Sequence, residues 1–118
     1  MKPFFKYWLP VLAWAGVIFI LSSISGDKFP TILPGIQDII AHLFEYAILA
    51  LLLSRALKNS RFSSRNKPQQ ILTVILVCLI YAISDEFHQI FVMNREPSLI
   101  DFFSDAFGVV LGSFIYPW

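Results

Sequence analysis

Four stretches of this chain are long and apolar enough to cross a bilayer, and together they leave little sequence for anything else. They cover about residues 7–24, 39–57, 70–92 and 99–117. A bilayer core takes about 20 residues of helix, with a working range of roughly 17–25. Polar residues interrupt each run, yet 7–24, 70–84 and 106–118 contain no Asp, Glu, Lys or Arg. Charged residues make up 14% of the 118, against about 25% in an average soluble domain. Mean hydropathy is +0.68, too apolar for a chain that must wrap itself in a polar surface. The sequence therefore predicts an all-α membrane protein: a four-transmembrane-helix bundle forming one domain over 1–118.

Two other readings of the apolar runs are weaker. Lys2 and Lys6 ahead of the first run, with the small residues of "SSISG" behind it, resemble a signal peptide. But the run exceeds the about 7–15 apolar residues of a signal core. A soluble bundle would need exceptionally apolar helices. The net charge of +1 gives no reason to expect a nucleic-acid partner. Cys78 is the single cysteine, which excludes a disulfide framework and a cysteine-based zinc site and reads as a packing residue.

Lys and Arg set the expected direction, since cytoplasmic loops carry them in excess. Lys2 and Lys6 precede the first run, and Lys58, Arg61, Arg65 and Lys67 lie in the second connector, "KNSRFSSRNK", with Arg55 just before it. Only Lys28 and Arg95 fall in the other two connectors. The N-terminus, the 58–68 connector and the C-terminus are thus expected in the cytoplasm, with 25–38 and 93–98 outside. The basic connector needs no binding role beyond orientation and attraction to anionic lipid.

With the runs alternating in direction, their polar intruders fall in one layer near the outer face. Asp38, His42, Glu45 and Tyr46 begin the second run, and "SDEFHQ" (84–89) ends the uncharged part of the third. Ser98, Asp101, Ser104 and Asp105 open the fourth, and Ser22 and Ser23 close the first. Asp38, His42 and Glu45 are spaced for one helix face, as are Tyr81, Asp85, His88 and Gln89. Glu86 lies about 100° around from Asp85. Asp101 and Asp105 continue into Gly108 and Gly112 of "GVVLG", a GxxxG pattern that lets helices approach closely. The fourth run is therefore expected inside the bundle. Ser98 reads as an N-cap with Asp101 completing a capping box.

Charge at the bilayer centre costs from about 2.5–3.5 kcal/mol upward, and such groups usually face a bundle interior or a wet cavity. Six carboxylates (Asp38, Glu45, Asp85, Glu86, Asp101, Asp105) share this layer with two fixed cations and two histidines. They cannot all stay ionised in a poorly hydrated pocket. Protonated acids, charged histidines or a bound cation would relieve them. The first two are the material of general acid–base chemistry. A divalent metal would fit His and carboxylate donors, but "HLFE" and "DEFHQ" match no diagnostic metal motif, so no metal is assigned from the sequence. Each residue also has a plainer role. Asp38 and Asp101 can be helix-capping acids, Glu86 can reach the headgroups, and Tyr46 and Tyr81 can pack. The site reading rests on their coincidence in one layer.

The segments "WAGVIFILSS", "DIIAHLFEYAILALLL" and "YAISDEFHQIFVMNREPSLIDFFSDAFGVVLG" resemble the VanZ-like family of small bacterial membrane proteins over about residues 8–112. The family's polar positions fall on His42, Glu45, Asp85, Glu86, His88, Gln89, Arg95, Ser98 and Asp101. Asp105 departs from it, where Asn is expected in many members, and so does Ile39, where Lys often follows the aspartate. The resemblance implies an inner-membrane protein linked to teicoplanin susceptibility and to intramembrane enzymes acting on lipid head groups.

The expected function is an enzyme acting at the outer interface on phosphate-linked lipid head groups, including polyprenyl carriers. Its catalytic candidates are His42, Glu45, Asp85, Glu86, His88 and Asp101. Its substrate-binding candidates are Gln89, Arg95, Ser98, Asp105 and Tyr81, with Arg95 suited to a phosphate oxygen. Membrane or polyprenyl-linked lipids are the expected partners, and the sequence specifies no cofactor. A lipid-binding or shielding protein is the alternative. A proton-coupled transporter fits less well, because the inner half lacks polar steps.

Overall fold

The computed structural model describes residues 4–23, 36–60, 66–92 and 99–118, and these are all-helical with no strand. Four helices follow in order: α1 (Phe4–Ser23), α2 (Ile36–Lys58), α3 (Lys67–Gln89) and α4 (Leu99–Ile115). Each matches one of the four apolar runs to within a turn at either end. The start of α3 is earlier than the apolar pattern suggests, because local capping extends it. Asn66 accepts a hydrogen bond from the Gln69 backbone at 2.9 Å, Gln69 returns one to the Asn66 N–H, and Pro68 occupies the first turn. That is a capping box, and it stabilises a helix start irrespective of hydropathy.

Three of the helices, Phe4–Ser23, Gln37–Lys58 and Lys67–Gln89, are long and apolar enough to cross a membrane. α4 has 17 residues, a length of about 25 Å at the helical rise. The polarity of the bundle is inverted relative to a water-soluble one. Phe5, Leu12, Ile20, Ile80, Phe87, Phe103, Phe107 and Phe114 are exposed, while His42, Asp85, Gln89 and Asp105 are buried. Apolar surface of this kind is stable against lipid and unstable against water.

The most extensive pairing is between α2 and α4, and the glycines of α4 explain it. A Cβ at Gly108 would collide with the backbone carbonyl of Leu43, and one at Gly112 would stand 2.5 Å from the Ala47 oxygen and 2.9 Å from Ala50 Cβ. The two backbones therefore touch without an intervening side-chain layer, as the GxxxG spacing predicts. α1 packs on α2 and α3, tied by Trp14 Nε1 donating to the Glu45 carbonyl at 2.8 Å and by the Tyr81 hydroxyl donating to the Ala15 carbonyl.

At one end of the bundle Lys58 Nζ donates to the Pro117 carbonyl at 2.7 Å. At the same end the Arg55 guanidinium lies 4.8 Å from the Tyr7 ring centroid. Together with Lys6 and Lys67, these are the only Lys and Arg among the described residues, and all four belong to the start of α1, the end of α2 or the start of α3. The acidic layer occupies the opposite end.

Candidate functional site

The acidic end is assembled from all four helices. In α2, His42 and Tyr46 stand four residues apart on the inward face, and both are buried. In α4, Asp101 and Asp105 precede Gly108 on the face that meets α2. Because the glycines bring that face against α2, Asp105 is delivered to the imidazole: His42 Nδ1 lies 2.7 Å from Asp105 Oδ1. This is a short hydrogen bond in which the ring N–H donates to the carboxylate. The other ring nitrogen, Nε2, faces Asp101 Oδ2 at 3.8 Å, too far for a hydrogen bond.

α3 supplies the third wall. Asp85 is buried, and its Oδ2 accepts from the Tyr46 hydroxyl at 3.2 Å. Glu86 turns toward α2 and α4, so that donor atoms of His42, Glu86 and Asp105 all lie within 4.8 Å of one another. Two carboxylate oxygens, Asp85 Oδ1 and Asp105 Oδ2, are buried without a hydrogen-bond partner among the described residues. Buried acceptors left in that state are rare and costly.

On the α1 side of His42 there is a small polar cavity lined by Ile18, Ser22, His42, Glu45, Asp85 and Gln89. Its volume is about 20 Å³, room for one water molecule or a small ion. The Ser22 hydroxyl, also buried without a partner among the described residues, belongs to the same lining.

His88 is held differently. The Ser23 hydroxyl donates its single proton to the Phe19 carbonyl at 2.7 Å and sits 2.8 Å from His88 Nε2. With that proton committed, the ring nitrogen is the donor of the second bond. The His88 ring also stacks on Phe19, centroid to centroid 4.5 Å. His88 and Tyr81 thus spend polar atoms on closing α3 against α1.

The sequence candidates therefore divide. His42, Asp101 and Asp105 meet at the α2–α4 seam, Glu86 joins them from α3, and Glu45, Asp85 and Gln89 line the adjoining cavity. His88 and Tyr81 are turned to α1. Asp105, read from the sequence as a substrate contact, is wholly buried with His42. Asp38, grouped by spacing with His42 and Glu45, is exposed in the first turn of α2, where a carboxylate suits the helix dipole. Arg95, Ser98 and Lys28, and with Ser98 the expected capping box, lie outside the described residues. The bonds from Tyr46 to Asp85 and from His88 to Ser23 were not anticipated. Tyr46, one turn after His42, was the available signal for the first, and the serines closing the first run were the signal for the second.

No curated protein and no solved structure matches the chain. The family model for VanZ/LLP1 matches residues 7–118, a span that includes every helix residue from Tyr7 onward and the whole acidic cluster. The chain belongs to the VanZ/LLP1 family.

Proposed function

We propose that this protein crosses the bacterial cytoplasmic membrane four times, with α4 as the fourth span and both termini in the cytoplasm. Its acidic end faces the outer leaflet and acts there on phosphate-linked lipid head groups, polyprenyl carriers included. Altered head groups are then its route to any effect on teicoplanin susceptibility. The orientation is supported by the separation of charge along the bundle, with the described Lys and Arg at one end and the carboxylates at the other.

One observation carries the chemical reading: a buried His–Asp pair, His42 with Asp105 at 2.7 Å, beside a water-sized cavity walled by Glu45 and Asp85. A carboxylate on one ring nitrogen fixes the imidazole's orientation and supports charge on it, which suits proton transfer. The cavity takes a water and not a head group, so the lipid phosphate would lie at its mouth, with the water beneath it as nucleophile. Glu45 or Asp85 would take a proton of that water as its oxygen bonds to phosphorus. The phosphorus–oxygen bond to the leaving alcohol or phosphate would break, and the leaving oxygen would take a proton from His42. Arg95 would hold a phosphate oxygen, and the exposed apolar faces of α1 and α3 would flank the acyl or prenyl chains.

The test is turnover. Protein reconstituted in liposomes is incubated with head-group-labelled phospholipids and with undecaprenyl phosphates, with and without divalent cations. Release or transfer of label that His42→Gln abolishes is the expected result. No product from any of these lipids under either condition overturns the reading.

A further inference from the structure

At the acidic end, two buried carboxylates, Asp85 and Asp105, are not fully satisfied by hydrogen bonds among the described residues. Five carboxylates gather there (Glu45, Asp85, Glu86, Asp101, Asp105), and every Lys and Arg among the described residues stands at the far end of the bundle. Asp105 has no exposed surface and Asp85 is 5% exposed. Each nevertheless keeps one oxygen without a hydrogen-bond partner among the described residues. A buried carboxylate oxygen left in that state is strongly unfavourable. A bound cation would supply positive charge and a partner for Asp105 together.

We propose that His42, Glu86 and Asp105 bind one divalent transition-metal ion, Zn²⁺ or Mn²⁺, at the α2–α3–α4 junction. Their donor atoms already lie within 4.8 Å of one another. Two donors each about 2.1 Å from a tetrahedral ion stand about 3.4 Å apart, so ligation draws the most widely spaced pair together by up to about 1.4 Å, within reach of side-chain rotation at Glu86 and Asp105. The imidazole is also supported on both sides, with Nδ1 facing Asp105 and Nε2 facing Asp101. With Nδ1 as the ligand beside Asp105, the Nε2 N–H faces Asp101 Oδ2 at 3.8 Å, and a small approach of that carboxylate would complete the outer partner that orients a ligating histidine. Asp101 is therefore a positioning residue for His42 when Nδ1 is the ligand.

The donor set selects the metal. Ca²⁺ and Mg²⁺ favour all-oxygen shells, whereas one imidazole with carboxylates suits Zn²⁺ or Mn²⁺. The single thiol, Cys78, is buried in the apolar core, so a soft thiolate site is not available. The ion would stand on the α4 side of His42, across the ring from the water-sized cavity. This deepens the head-group reading, with a bound ion taking the place of the His42 proton as the positive charge beside the phosphate. It rests on the same cluster being the working site, but it is tested without turnover.

Purified protein in detergent is stripped with chelator, reloaded with Zn²⁺ or Mn²⁺, desalted and assayed for metal per chain by mass spectrometry. Affinity is measured separately by calorimetry. One ion per chain is expected, retained in millimolar Mg²⁺ or Ca²⁺. His42→Gln and Asp105→Asn should lose it, and Asp101→Asn should weaken it by roughly 10–100-fold, the usual effect of removing an outer partner. His88→Gln, whose ring is committed to Ser23, should keep it. If His42→Gln does not fold, Glu86→Gln, an isosteric change at a half-buried position, carries the test. No retained ion, equal retention in the Glu86 and Asp105 variants, or displacement by Mg²⁺ overturns the proposal. A tightly held ion with no lipid turnover leaves this site standing and sinks the head-group reading. Turnover by ion-free protein in chelator does the reverse.

Discussion

His42 Nδ1 and Asp105 Oδ1 lie 2.7 Å apart although 63 positions separate the two residues in the chain. The bond is buried, joins α2 to α4, and depends on a close helix approach that starts three residues after Asp105, at Gly108. Removing the carboxylate while keeping the shape is therefore informative. Asp105→Asn should leave the helices formed but weaken the bundle by about 1.5–3 kcal/mol, the range for a hydrogen bond to a charged group. Thermal unfolding in detergent micelles reads this, and a stability equal to wild type would mean that the bond contributes nothing net.

Gly108→Ala and Gly112→Ala should destabilise by about 1–3 kcal/mol or more, as overpacking does, because the added methyl meets the backbone of α2 and not a yielding side chain. Gly16 on α1 is the internal control. A Cβ there meets nothing within 4 Å, so Gly16→Ala should be neutral or stabilising by about 0.5–1 kcal/mol. The three variants are compared in one unfolding series. Similar midpoints for all three would contradict the described α2–α4 contact.

Tyr46→Phe removes the donor to Asp85 Oδ2 and leaves both oxygens of a buried carboxylate without a partner among the described residues. A cost of about 1–3 kcal/mol is expected. If Asp85 works on a water in the cavity, lipid turnover should fall as well. A loss of stability with unchanged turnover would assign Asp85 to the scaffold.

Metal affinity should rise with pH, because imidazole and carboxylate ligands must shed protons before they bind an ion. Calorimetry in two buffers of different ionisation enthalpy would reveal the protons released. Binding that is indifferent to pH would point to adventitious ions on exposed groups.

The orientation has its own test. Cys78 is buried, so Cys78→Ala gives a background free of native thiol. Ser60→Cys should resist a membrane-impermeant maleimide in intact cells, whereas Phe91→Cys should react. The opposite pattern would place the basic connector outside.

The helices were legible in the sequence because about 20 consecutive apolar residues have few alternatives. The acidic layer was legible because alternating direction stacks 42–46, 84–89 and 101–105 at one end. Which groups meet within that layer was not. Helical spacing joined Asp38 to His42, yet Asp38 stands exposed in the first turn of α2. Spacing likewise grouped His88 with Asp85, yet His88 turns to Ser23 and Phe19. Glu86, a catalytic candidate placed about 100° around from Asp85, is carried by that rotation toward His42 and Asp105. Spacing along one helix says which residues share a face. How each helix is rotated against its neighbours follows from where small residues let backbones meet, and GVVLG fixed that for α4 alone.

The glycine seam between α2 and α4 ties motion to chemistry. Leu43, whose carbonyl lies over Gly108, directly follows His42, and Gly108 comes one helical turn after Asp105. A backbone-to-backbone contact too close for a Cβ and a short buried side-chain bond are thus a turn apart on the same two helices. Sliding or rolling α4 would lift the one and break the other in a single movement, so the imidazole and its carboxylate are held in register by the backbone itself.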